Sequence, residues 1–86
     1  MFIVSGRVQG VGYRWFAKDK AEKFGLTGTV KNLHDGRVEV YAQGEIDSIV
    51  KFRDKLKQGP SFARVDTVVE SKINLKHEYK EFKVIF

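Results

Sequence analysis

The chain switches several times between two rhythms of apolar and polar residues. Phe2, Val4, Gly6 and Val8 alternate with Ile3, Ser5 and Arg7, which predicts a strand over 2–8. Gln9-Gly10-Val11-Gly12-Tyr13 follows as a glycine-bearing loop. From Gly12 to Phe24 the period lengthens to that of a helix. Tyr13, Ala17, Ala21 and Phe24 share one face, with Phe16 beside them, and Lys18, Asp19, Glu22 and Lys23 share the other. Gly25 stands where a left-handed residue ends a helix.

Alternation returns over 27–33, with Val30 and Asn32 on one face and Thr29 and Lys31 on the other. Asp35-Gly36 is a tight-turn dipeptide, and 37–43 completes a hairpin with Val38, Val40 and Ala42 inward. A second helix is predicted over 45–58. Ile46, Ile49, Val50, Phe52, Arg53 and Leu56 include its i, i+3, i+4 and i+7 positions, and Glu45 and Asp47 sit at the positive end of its dipole. Gly59-Pro60 stops it. Two further strands are expected over 65–71 and 82–86, with a polar loop over 74–79 between them. The order is β-α-β-β-α-β with an extra C-terminal strand. Two helices with one apolar face each need a shared surface, and a single antiparallel sheet covered on one side supplies it. The expected class is α+β, a ferredoxin-like α/β sandwich, read as a single domain over 1–86.

Composition narrows the chemistry. Hydrophobic residues make up 42% and charged residues 31% of the 86, which excludes a disordered chain. There is no Cys, so disulfides, thiolate zinc sites and thiol nucleophiles are excluded. His34 and His77 lie far apart and give no metal-ligand spacing. No apolar run approaches the ~20 residues of a membrane helix. Met1 to Arg7 shows no basic n-region or apolar h-region, so a cytoplasmic location is expected. The net charge of +5 favours anionic partners in general.

Two segments carry candidate chemistry. The first, Gly6-Arg7-Val8-Gln9-Gly10-Val11-Gly12-Tyr13-Arg14, runs from a strand through a glycine loop into a helix N-terminus, where free N–H groups and the helix dipole favour an anion. Arg14 in the first turn adds a planar fork for two phosphate oxygens. A nucleotide P-loop is excluded because no Lys-Ser or Lys-Thr follows the glycines, and Trp15 occupies the third glycine position of a dinucleotide fingerprint. The second, Gly28-Thr29-Val30-Lys31-Asn32-Leu33-His34-Asp35-Gly36, puts the Asn32 amide on a core-facing strand position, where an amide needs partners. A tight turn alone accounts for either segment taken separately.

Together they resemble the signatures of the acylphosphatases, G-R-V-Q-G-V-x-[FY]-R and G-x-V-x-N-x-x-D-G-x-V-E. Gly59-Pro60 before Ala63-Arg64-Val65 is similar to that family's turn into its fourth strand. The resemblance implies hydrolysis of a carboxyl–phosphate anhydride. It implies Arg14 and Asn32 as catalytic residues, Arg14 on the phosphate and Asn32 on the attacking water. It also implies a phosphate cradle of Gln9, Gly10, Val11, Gly12, Tyr13 and Arg14, with Arg7 in support. An acyl phosphate is then the small-molecule substrate and inorganic phosphate the product. Neither metal nor cofactor is expected, nor a nucleic-acid or membrane partner, and the expected state is a monomer. Thr29 departs from a frequently aromatic position, on the face away from Asn32.

The chemistry suits so sparse a site. The leaving carboxylate has a conjugate acid of pKa about 4 and departs without a general acid. The competing reading is an RNA-binding module of the same fold, which stacks bases on aromatics of the open sheet face. Ile3, Ser5 and Arg7 offer none, and Tyr41 stands alone between Glu39 and Gln43. His34 and His77 read as solvated loop residues. Trp15, Phe16, Phe24, Phe52, Phe82 and Phe86 read as core or rim packing, and Lys72, Lys76, Lys80 and Lys83 as a charged edge.

Overall fold

The computed structural model describes residues 1–73 and 77–86. In chain order the elements are β1 (Phe2–Arg7), α1 (Tyr13–Lys23), β2 (Thr27–Asn32), β3 (Val38–Gln43), α2 (Ile46–Gln58), β4 (Arg64–Glu70) and β5 (Phe82–Ile85). This is the predicted order, with ends shifted by a residue. The strands form one sheet in the order β4-β1-β3-β2-β5. β1 pairs antiparallel with β3 and β4, and β2 antiparallel with β3.

The fifth strand makes the sheet mixed, because β5 runs parallel to β2. The path of the chain explains it. β4 is antiparallel to β1 and finishes beside the start of β1, where the Ser71 N–H donates to the Met1 carbonyl at 2.8 Å. The chain crosses to the opposite edge at that same end, so β5 must run back alongside β2. The C-terminal ends of β1, β2 and β5 therefore share one end of the sheet. Of the loop expected over 74–79, residues 74–76 lie outside the described residues, as does Lys76 of the expected charged edge. His77 to Tyr79 are neither helix nor strand.

Both helices cover one face. Phe2 and Val4 of β1, Val30 of β2, Val38 and Val40 of β3 and Phe82 of β5 are buried against Tyr13, Ala17 and Ala21 of α1 and Phe52 and Leu56 of α2. Phe52 joins the layers, edge-to-face with Phe2 at 6.0 Å and with Phe82 at 6.1 Å. α1 ends in a Schellman turn: the Leu26 N–H donates to the Ala21 carbonyl at 2.8 Å and the Gly25 N–H to Glu22 at 3.1 Å. On α2 the apolar stripe is wider than the buried face, so Ile46 is 76% exposed. No helix among the described residues is long and apolar enough to cross a membrane.

Candidate active site

The β1–α1 loop owes its shape to alternating anchors and hinges. Val8 is buried and Val11 packs against the core. Gly10 and Gly12 between and after them take φ of 73° and 78°. A Cβ at either position would meet nothing within 4 Å, so the demand for glycine is one of backbone conformation, not space. Gly12 is the N-cap of α1 and offers no side-chain cap. The first backbone bond of the helix runs from Phe16 N–H to the Gly12 carbonyl at 3.1 Å. Among the described residues, the N–H groups from Gly10 to Trp15 donate to no backbone or side-chain acceptor. The first turn holds no acid, and Arg14 is there instead.

Three links bring the separate segments to one corner. The Gln9 amide nitrogen donates to the Leu33 carbonyl at 2.8 Å and the Arg37 carbonyl at 2.9 Å. The loop is thereby tied to the β2–β3 turn just beyond Asn32. The Arg14 Nη1 donates to the Ile85 carbonyl at 3.0 Å, and its guanidinium carbon lies 4.8 Å from the centre of the Phe86 ring. Ile85 in turn is the register partner of Lys31, the residue before Asn32. Loop, arginine and asparagine thus meet at the end of the sheet where β1, β2 and β5 all finish.

Asn32 sits opposite Val38 at the last position of β2. Its Oδ1 is buried and accepts no hydrogen bond among the described residues. A buried amide oxygen without a protein partner is costly, so this acceptor is suited to a bound polar molecule. The hairpin beyond it is stiffened by Asp35. Its Oδ1 accepts from the Arg37 N–H at 3.1 Å and its Oδ2 from Arg37 Nε at 2.7 Å. These bonds, the backbone one foremost, hold the Asp35 carboxyl below its ordinary pKa of 3.8.

The structure separates the residues expected to form a phosphate cradle by what their side chains do. Tyr13 points away from the loop: it is buried, and its hydroxyl donates to the Leu56 carbonyl on α2 at 2.7 Å. Burial pushes that phenol well above its usual pKa. Gln9 commits its amide nitrogen to the hairpin and acts on the loop from outside. Arg7 is exposed beside Arg64 and forms no ion pair among the described residues. Thr29 pairs with Tyr41 on the open sheet face, away from Asn32. His34 and His77 are exposed. The Ile85 carbonyl and Phe86 ring around Arg14 left no trace in the motifs, since a carbonyl carries no sequence signature and the contact spans 71 positions. Among the described residues no group of three His, Asp or Glu side chains could hold a metal ion.

The family model named Acylphosphatase matches residues 1–84. The chain belongs to the acylphosphatase family. It is 47% identical to an acylphosphatase of Mannheimia succiniciproducens over 96% of this chain and 92% of that one. It is 56% identical to an acylphosphatase of Thermus thermophilus over 77% of this chain and 75% of that one. Its fold is similar to the crystal structure of acylphosphatase from Bacillus subtilis, with TM-score 0.94, 36% identity, and coverage of 99% of this chain and 94% of that chain. The acylphosphatase family match does not favour the RNA-binding alternative.

Proposed function

We propose that the protein hydrolyses acyl phosphates to a carboxylate and inorganic phosphate without a metal ion, using Arg14, the N–H groups of the Gln9 to Arg14 loop, and Asn32. The observation that carries this reading is the pairing of two unspent resources in one corner. One is an uncapped helix N-terminus with an arginine in its first turn. The other is the buried, unpartnered Asn32 Oδ1.

The phosphoryl group docks on the N–H groups at the start of α1, and Arg14 grips it with the donors not engaged by Ile85. A water donates a hydrogen bond to Asn32 Oδ1 and is aimed at phosphorus opposite the leaving oxygen. The water oxygen bonds to phosphorus as the bridging P–O bond breaks, and the bond's electrons leave on the carboxylate. The products are one carboxylate and dihydrogen phosphate, so charge and protons balance without an external acid. Phosphoryl transfer through a loose transition state asks for positioning and charge stabilisation, which donors fixed before the reaction provide. An alkoxide leaving group would need a proton that the site does not supply, so phosphate monoesters should be poor substrates.

The test is hydrolysis of acetyl phosphate beside a phosphate monoester, each with and without chelator. Turnover of acetyl phosphate alone, unchanged by chelator and competitively inhibited by inorganic phosphate, is the expected result. Equal turnover of the monoester would sink the leaving-group argument, and loss of activity on chelation would sink the metal-free one.

A further inference from the structure

Two large aromatics beside the site are left unexplained by packing. Trp15 follows Arg14 on α1 and is 55% exposed, while Phe86 beyond β5 is 86% exposed. Their ring centres are 6.0 Å apart, and Phe86 also lies 4.8 Å from the Arg14 guanidinium carbon. Rings that merely sealed the seam between α1 and β5 would be covered by it. These stay open to solvent while they pack on each other and Phe86 stacks on Arg14. A groove of about 250 Å³ lies between the two elements, walled by Trp15, Phe82, Val84 and Phe86.

We propose that Trp15 and Phe86 form the acyl-group subsite, a platform that selects acyl phosphates with an aromatic or bulky apolar acyl group. The inference deepens the reading of the site given above and depends on it. The covalent tether decides the occupant. In an acyl phosphate the acyl carbon is one oxygen away from phosphorus, so a phosphoryl group held by Arg14 must place its acyl group within a few ångströms of that arginine. Phe86 is an exposed apolar surface at that distance.

The charges around the groove favour an uncharged acyl group. Lys18 is paired with Glu22 at 3.7 Å and Lys83 with Glu81 at 3.5 Å, so each cation on the walls already has its anion. The volume falls below the ~300–1,000 Å³ of sites for drug-sized ligands, which suits a single ring. Offset or tilted contacts with two rings reward a third aromatic more than an acetyl methyl.

The experiment compares benzoyl phosphate with acetyl phosphate on the full chain. Their leaving carboxylates are of similar basicity, so a difference in KM reports binding of the acyl group. The wild type should show a KM for benzoyl phosphate lower by about fivefold, the scale of one added aromatic pair. Trp15→Ala should narrow the ratio of the two KM values, and Trp15→Phe should keep most of it. Trp15 is the side chain to change, because altering Phe86 would also disturb Arg14. Equal KM values in the wild type, or an equal loss on both substrates in Trp15→Ala, would overturn the proposal while leaving acyl phosphate hydrolysis standing. Failure to hydrolyse either substrate would overturn both. If Trp15→Ala does not fold, the wild-type ratio and Trp15→Phe decide the matter.

Discussion

The two helices begin in opposite ways. α2 starts at Glu45 in an extended conformation with Asp47 in its first turn, so acids face the positive end of its dipole. α1 starts at a left-handed Gly12, has no acid in its first turn and carries Arg14 there. By the rules that stabilise helices, the first arrangement is favourable and the second is not. Both helices bury aromatic or aliphatic side chains in the same core, so tertiary packing holds α1 despite its start. The difference supports the proposal that the α1 terminus is the one that receives the ligand. Where a chain breaks a local stability rule and repairs it by packing, the freed groups are candidates for function.

The sharpest way to break this comparison is to remove the unspent groups. Arg14→Ala and Asn32→Ala should each lower kcat/KM for acetyl phosphate by ~10²–10³ or more, the scale of losing one preorganised donor or positioning contact. Far-ultraviolet circular dichroism should show both variants folded. Retention of most activity by Asn32→Ala would remove the water from that residue's care. A smaller effect is expected at the cap itself. Gly12→Ala forces a side chain into the left-handed region and should destabilise the protein by about 1–2 kcal/mol in urea titration. It should also weaken competitive inhibition by phosphate, because the loop can recover only by changing its backbone.

At the other helix the same chemistry should matter little to function. Asp47→Asn removes an exposed acid from the first turn of α2 and should cost about 0.5 kcal/mol of stability. Acyl phosphate turnover should stay at the wild-type level. A comparable loss of turnover would mean that the two termini are not as separate as their surroundings indicate. The smallest effect concerns Asp35. Its folded-state pKa is depressed, so the native state prefers the carboxylate. Its contribution is complete above the ordinary pKa of 3.8 and fades as pH falls through the lower folded value. Asp35→Asn should flatten the acid limb of the stability profile in that window: the variant loses the small contribution at neutral pH, where it is complete, and matches the wild type below the window.

Much of this was legible along the chain. The change from period two to the longer helical period marked each element, because each has one buried face and one wet one. The glycine loop, Arg14 and Asn32 stood out as candidates because a turn glycine, a guanidinium in a first helical turn and an amide on a core-facing strand position are each visible as a residue type at a place in the pattern. Other features left no local mark. The parallel pairing of β5 follows from the path out of β4, which no five-residue pattern encodes. The hold on Arg14 comes from the Ile85 carbonyl, and every residue type has one. Trp15 and Phe86 fitted an apolar pattern, yet they stand in solvent, as does Ile46, because pattern reports an apolar residue and not whether anything covers it.

Gln9 has a consequence for how the molecule opens. Its two hydrogen bonds join a loop to a hairpin 24 and 28 positions further along the chain. Segments fastened in this way tend to unfold as one cooperative unit. An anion seated on the loop would then slow amide exchange in the hairpin, at Leu33 and Gly36, without touching either. Replacement of Gln9 by alanine would uncouple the two, so that ligand protection stopped at the loop.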